Sequence, residues 1–443
     1  MSTSEAAPKR GGTWIKEWDP EDEGFWESRG KSRAWRTLTI TTANLVMAFI
    51  VWFVVSALVV ELDDIGFDFS SSQLFWLAAM PGLSAGTLRI VHVFLVPVFG
   101  TRHVVSISTA LLLLPLVGWF FAVQDTSTPY IVLLLLAFLA GLGGGNFSSF
   151  MPSTSLFFPK RLQGTALGLQ AGIGNFGVSV VQFVTPWVIG FALVGSTQLT
   201  DDGDKVHLQN AVFIWIPIVA ALAIVAWIGL KSVPVRANVR EQMDIFHLKH
   251  TWLMTSLYFM TFGSFAGFAA VFPLLIKELF GDFDNAPGPL TYAFLGPLVG
   301  SAARVAAGPV SDRLGGGRVT LFAAIGLIVS TIGVSFFLSP SSADDFPGFL
   351  IFMLALFFFA GVGNASTFKQ MPMIFPVRQA AGVIGWTAAI AAYGPFVFAV
   401  IIAAVISGGG SPLPFFIGAG IFYLINAGIC WWYYVRPGAE MPC

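Results

Sequence analysis

From residue 37 onward the chain alternates long apolar runs with short polar breaks. A run of about 20 apolar residues crosses a bilayer as a helix. Twelve such runs can be drawn: 37–60, 73–99, 104–123, 129–151, 163–194, 210–230, 251–277, 290–311, 319–338, 347–373, 379–406 and 412–435. Several exceed the minimum, which predicts tilt or extension past the lipid. The breaks alternate in sign. With residue 1 placed inside, 18 of the 23 Lys and Arg fall on the inner side, from Lys9 and Arg10 through Arg102, Lys160, Arg161, Arg236, Arg240, Arg313, Arg318 and Arg378 to Arg436. Only Lys205 and Lys277 fall outside, and Arg89, Arg304 and Lys369 lie within runs. The outer breaks are acidic: Glu61, Asp63, Asp64 and Asp68, then Asp201, Asp202 and Asp204. This bias predicts both termini in the cytoplasm.

Composition agrees with the pattern. Of 443 residues, 56% are hydrophobic and 11% charged, against about 25% charged in a soluble domain. A net charge of -1 without a basic stripe gives no footprint for nucleic acid. Cys430 and Cys443 provide no disulfide framework or metal spacing, and the five histidines form no ligand cluster. Residues 1–36 are polar, with Trp14, Trp18, Trp26 and Trp35 among many charges. They lack the apolar run of a signal peptide and are expected to lie against the membrane interface as a cytoplasmic tail.

The longest inner break, 231–250, divides the runs into halves of six, 37–230 and 251–435, with a short tail at 436–443. The halves echo each other at a spacing of about 215 residues. Arg89 pairs with Arg304, Phe49 with Phe262, and Phe158-Pro159 with Phe375-Pro376. The run AGLGGGNFSSF (140–150) resembles AGVGNASTF (360–368). The loop GPVSDRLGGGR (308–318) resembles the cytoplasmic loop signature of the major facilitators; PVFGTRH (97–103), its counterpart, lacks the Asp-Arg pair. The expected fold is therefore an all-α membrane protein with twelve transmembrane helices in two pseudo-repeated halves. In such folds the substrate site lies near the midplane, between the halves.

Two charges stand out. A helix rises 1.5 Å per residue, so Arg89 lies roughly 15 Å, and Arg304 roughly 12 Å, from the inner ends of their runs. A charge at the bilayer centre costs about 2.5–3.5 kcal/mol on insertion scales. No Asp or Glu lies within any run, so the inferred partner is a small anion that comes and goes. A guanidinium offers a planar fork of donors to an oxyanion. The bland alternative is that each arginine caps backbone carbonyls. Glycines cluster in GTALGLQAGIGNFG (164–177) and in GVIGWTAAIAAYG (382–394). Gly164, Gly168, Gly172, Gly174, Gly382 and Gly385 are expected to serve close helix packing and to give the halves a flat face on which to slide. Asn175 can supply an amide to an anion without adding charge.

The tail motif WDPEDEGFWESRGK (18–31), the Arg89/Arg304 pair, GNFSSF, the glycine-rich fifth run and YFMTFGSFAGF (258–268) together resemble the nitrate/nitrite porter family of major facilitators, over nearly the whole chain. The resemblance implies that nitrate or nitrite binds between Arg89 and Arg304, with Phe49, Phe147, Asn175, Tyr258 and Phe262 around it. It also implies a bacterial inner membrane and no cofactor. We expect the protein to function as a monomer. Facing arginines repel when the site is empty, which favours nitrate/nitrite exchange over movement of an empty carrier. The rivals are proton-coupled uptake through Lys369 or His92, and an anion sensor that does not transport. No nucleophile–base–acid set or metal cluster supports an enzyme.

Overall fold

A computed structural model describes residues 13–200, 203–233, 243–408 and 410–443. Lys9 and Arg10 of the tail, Asp201 and Asp202, and Arg236 and Arg240 of the central break lie outside the described residues. Eleven helices among the described residues are long and apolar enough to cross a membrane. One of them, Ser71–Ala122, has 52 residues and is broken at Gly100, where φ is 78° and ψ 159°. It therefore holds two crossings, and the sequence pattern of twelve is recovered. We label them α1 (Glu23–Leu58), α2 (71–99), α3 (101–122), α4 (Tyr130–Ser155), α5 (Lys160–Val188), α6 (Asn210–Gly229), α7 (Lys249–Phe280), α8 (Pro289–Leu314), α9 (Gly316–Ser335), α10 (Ala343–Ile374), α11 (Val377–Ala391 and Gly394–Ile406) and α12 (Leu413–Val435).

Local chemistry sets the helix starts. Ser70 and Gln73 form a capping box at α2, each side chain accepting from the other's backbone N–H. Pro159, Pro289 and Pro412 stand at the starts of α5, α8 and α12, where a missing N–H costs nothing. The fifth crossing ends at Val188, short of the expected 194. Beyond it the chain turns through Gly195 at φ 89° into a small hairpin, Gln198–Leu199 paired with Lys205–Val206, that the apolar pattern did not predict.

The halves meet along α2 with α11, α5 with α8, and α1 with α7. In α1 and α7, 72% and 94% of the apolar window is buried, against 33% in α6 and α12. The first pair therefore lines the centre, and the second faces outward with side chains such as Ile228 and Ile421 exposed.

The repeat extends to backbone geometry. Gly100 and Gly315, 215 residues apart, both take positive φ, at 78° and 91°. Each bend is closed by the chain that follows its half's sixth helix. The Arg102 amide donates to Ser232 Oγ at 3.2 Å, and the Gly317 amide to the Cys443 carbonyl at 2.9 Å. Positions 102 and 317 are again 215 apart.

The tail, expected against the membrane interface, packs its described part into the protein. Trp26 is 1% exposed, in a cluster with Leu38, Phe157 and Phe158. The Trp18 indole N–H donates to the Leu156 carbonyl at 3.1 Å, and Glu21 accepts from the Lys160 amide at 2.9 Å. Thr13 and Ile15 bond to Ser232. The tail thus braces the α4–α5 loop and the segment after α6. Only Trp35, 40% exposed, keeps the outward position expected of an interfacial tryptophan.

Candidate functional site

Arg89 sits in the middle of α2 and is fully buried. Its Nε donates to the Gly144 carbonyl of α4 at 2.8 Å. Its Nη1 crosses to the other half and donates to the Ala388 carbonyl of α11 at 2.7 Å. Glycines make the first bond reachable. Gly144 packs on Ala85 and Trp52, and a side chain there would collide with both. Ala388 lies near the end of the first α11 segment, which stops at Ala391. The guanidinium carbon lies 4.6 Å from the Phe147 ring centre, 5.1 Å from Phe262 and 5.3 Å from Trp52, within cation–π range of all three. Among the described residues Nη2 has no hydrogen-bond partner. The carbonyl-capping alternative therefore accounts for two edges of the fork and leaves one open.

Arg304 in α8 is 6% exposed and lies 5.3 Å from the Phe368 ring centre. Its Nη1 is 3.1 Å from the Asn175 amide oxygen of α5, with that amide oriented so that its nitrogen donates to the Ala171 carbonyl. This orientation is assigned from the hydrogen-bond network. Arg304 thus also reaches across to the opposite half. Among the described residues neither arginine has an ion-pair partner.

Aromatic rings connect the two arginines. In α7 a π turn at Phe259–Gly263 brings Gly263 against Gly394 of α11, where no side chain fits. π turns of this kind often mark functional sites. Beside it, Tyr258 and Phe262 stack with centres 5.5 Å apart and planes at 5°. Phe262 stacks on Phe147 across the halves at 6.3 Å, and Phe147 meets Phe49 at 6.3 Å. The buried Tyr258 hydroxyl lies within electrostatic reach of both arginines. All seven residues of the expected site therefore form one chain of contacts. Sequence reading missed Trp52 and Phe368. Both had a signal: Trp52 is one helical turn from Phe49, and Phe368 closes the repeated AGVGNASTF run.

A sequence model of the Major Facilitator Superfamily matches residues 40–368. The probable nitrate/nitrite antiporter NarK2 of Thermus thermophilus is 63% identical over 98% of this chain and 99% of its own. This chain belongs to the nitrate/nitrite porter family of the major facilitators. The nitrate/nitrite transporter NarU of Escherichia coli K12 is 37% identical to this porter, over 95% of it and 96% of NarU. Among solved structures, a D-xylose-proton symporter superposes with TM-score 0.63 at 15% identity, covering 90% of the porter and 97% of the symporter. A bacterial homologue of the lysosomal transporter Spinster superposes with TM-score 0.65 at 12% identity, covering 91% and 97%. These two establish the fold alone.

The remaining expected residues of the porter divide. Gly172 faces Val305 of α8, and an added Cβ would lie 2.6 Å from that side chain. Gly174 packs on Leu45, Gly385 on Val93, and Gly382 near Ile245. A Cβ added at Gly164 or Gly168 would meet nothing within 4 Å among the described residues, so in this conformation neither serves packing between the halves. The closest contact of α2 with α11 comes instead at Gly82 and Gly86, against Phe396 and Tyr393. His92 is buried and bonds Ser149 Oγ at 2.8 Å within its own half. Lys369 is apart from the arginines. Its side chain is 41% exposed, and its ammonium pairs with Asp312 at 2.5 Å. A flexible four-carbon stem lets the charge leave the apolar interior. Asp312 lies within the last turn of α8, one residue beyond the apolar run.

Proposed function

We propose that this porter carries nitrate and nitrite across the membrane by alternating access, exchanging one for the other, with the anion held between Arg89 and Arg304. The reading rests on the crossed arginines. Each is buried, lacks a carboxylate partner among the described residues and donates to the opposite half of the molecule. A monovalent planar oxyanion offers acceptors to the open Nη2 edge of Arg89, to Arg304 and to the Tyr258 hydroxyl. Phe147 and Phe262 stack beside the Arg89 fork and keep water away from it. In a water-poor site these charge-assisted bonds are strong. A bulkier or doubly charged anion leaves oxygens unsatisfied between the rings.

Exchange follows from the same contacts. Without an anion the halves are tied through the Arg89–Ala388 and Arg304–Asn175 bonds. Reorientation of the empty porter breaks both and leaves two facing positive charges. A bound anion supplies replacement acceptors and offsets about one charge, which lowers that barrier. The relatives' names, antiporter and nitrate/nitrite transporter, fit this reading. It places the porter in the bacterial cytoplasmic membrane as a monomer, with both termini inside.

Counterflow in proteoliposomes tests it. Internal nitrite accelerates nitrate entry many-fold, while a pH gradient without internal anion drives little. Accumulation driven by the pH gradient alone overturns exchange in favour of proton symport, and binding without flux makes the protein a sensor.

A further inference from the structure

At the end of the bundle away from the termini, the last turn of α7 carries Lys277. Its ammonium donates to the Val60 carbonyl at 2.6 Å and to Asp64 Oδ1 at 2.9 Å, with Asp63 Oδ2 at 3.8 Å. These three residues belong to the first half and Lys277 to the second. Val60 lies two residues past the last helical residue of α1, Leu58. Its carbonyl lies just beyond the negative end of that helix. The Lys277 side chain is 26% exposed, so water screens the contact less than it screens a surface pair.

The repeat explains why a cation is needed here. The end of α7 corresponds, about 215 residues back, to residues 59–64, the segment that Lys277 binds. Two equivalent helix carboxyl ends thus meet across the pseudo-twofold axis. Both present negative dipole ends, and Asp63, Asp64 and Glu278 add negative charge. Without a cation these ends repel. Lys277 supplies it once, because residues 59–64 contain no Lys or Arg.

Other cross-half contacts share this end. Gln182 Nε2 of α5 bonds both Ser56 Oγ of α1 at 3.0 Å and the Ala269 carbonyl of α7 at 2.9 Å. Nearer the midplane, Thr87 bonds the Tyr393 hydroxyl at 2.9 Å. Toward the other end, a Cβ added at Gly164, Gly168 or Gly308 would meet nothing within 4 Å among the described residues. We propose that Lys277 is the latch that keeps the two halves shut at the end away from the termini, and that its release from Val60 and Asp64 is a required step in opening that end. The proposal deepens, and rests on, the alternating-access reading. Its geometric core is a cation of one half seated on the helix end of the other.

Cysteine accessibility tests it without any transported anion. Ser56 is 3% exposed, directly behind the latch. In the full chain with Cys443→Ser, a Ser56→Cys reporter is labelled with a maleimide in detergent. Cys430, fully buried near the opposite end, remains as the control for global unfolding. Hydrogen bonds to a charged group shift an equilibrium by about tenfold or more. Lys277→Met therefore raises the Ser56→Cys labelling rate about tenfold or more, Lys277→Arg leaves it near the parent rate, and Cys430 stays silent in both. Labelling of Lys277→Met within twofold of the parent overturns the latch. Labelling of Cys430 alongside the reporter also overturns it, since Lys277 then holds the fold instead of the gate. Absence of exchange flux in the parent protein refutes the transport reading separately.

Discussion

Replacing Arg89 by Lys keeps the charge and removes the fork. Arg89 now satisfies two carbonyls with two different nitrogens, Nε toward Gly144 and Nη1 toward Ala388, and leaves Nη2 for a ligand. A single ammonium cannot reach the carbonyls of α4 and α11 and still present a second parallel donor to an anion. At least one charge-assisted bond is lost, worth about 1.5–3 kcal/mol, or roughly 10- to 150-fold. Stacking on Phe147, Phe262 and Trp52 also weakens, because an ammonium has no planar face to lay on a ring. Nitrate affinity of purified Arg89→Lys, measured by calorimetry, is expected to fall by about this factor, and exchange flux with it. Size-exclusion profile and expression stay near the parent, since the buried charge keeps at least one carbonyl partner. If Arg89→Lys binds and exchanges nitrate within threefold of the parent, the planar-fork argument is refuted, whatever else the site does.

Other predictions follow from neighbouring geometry. Gly172→Leu drives a side chain into Val305 of α8 and is expected to cost about 1–3 kcal/mol of stability, seen as a lower melting temperature together with lost flux; Gly168→Leu, with open space around it, leaves the melting temperature unchanged. Lys369→Gln breaks an exposed pair with Asp312, so exchange stoichiometry should be unaltered, and a changed nitrate-to-nitrite ratio contradicts this placement. Burial, with Asp64 beside it, raises the Glu61 carboxyl from 4.5 to about 7, against the opposing pull of Lys277. An acid whose pKa is raised on folding destabilises the fold as pH climbs from its unfolded value through its folded one. Melting temperature should therefore fall between about pH 5 and about pH 7.5, and Glu61→Gln should flatten that slope. Trp26→Ala empties the tail's buried cluster and is expected to cost about 3–5 kcal/mol, read as early loss of structure on heating.

The apolar periodicity determined the twelve crossings, because a bilayer-spanning helix needs a fixed length of apolar chain whatever its neighbours are. The repeat was equally legible: Arg89 and Arg304, and the glycines at 100 and 315, keep a common spacing in the linear chain. The arginine depth also came from counting residues along a helix. Resemblance to the porter family supplied the five other site residues, and the fold decides how they touch. The partners of the arginines were not legible. The Ala388 carbonyl lies 299 residues from Arg89, and a backbone acceptor leaves no mark in residue identity. The packing of Trp26 against Phe158 was hidden for a similar reason, since a tryptophan in a polar tail reads the same whether it meets lipid or protein. Lys277 looked like one of two stray outer cations, and only the meeting of two helix ends turned it into a bridge. Composition fixes which segments leave water. Tertiary structure decides which segments meet, because contacts between repeat-related helices depend on how the halves dock, which the local pattern does not encode.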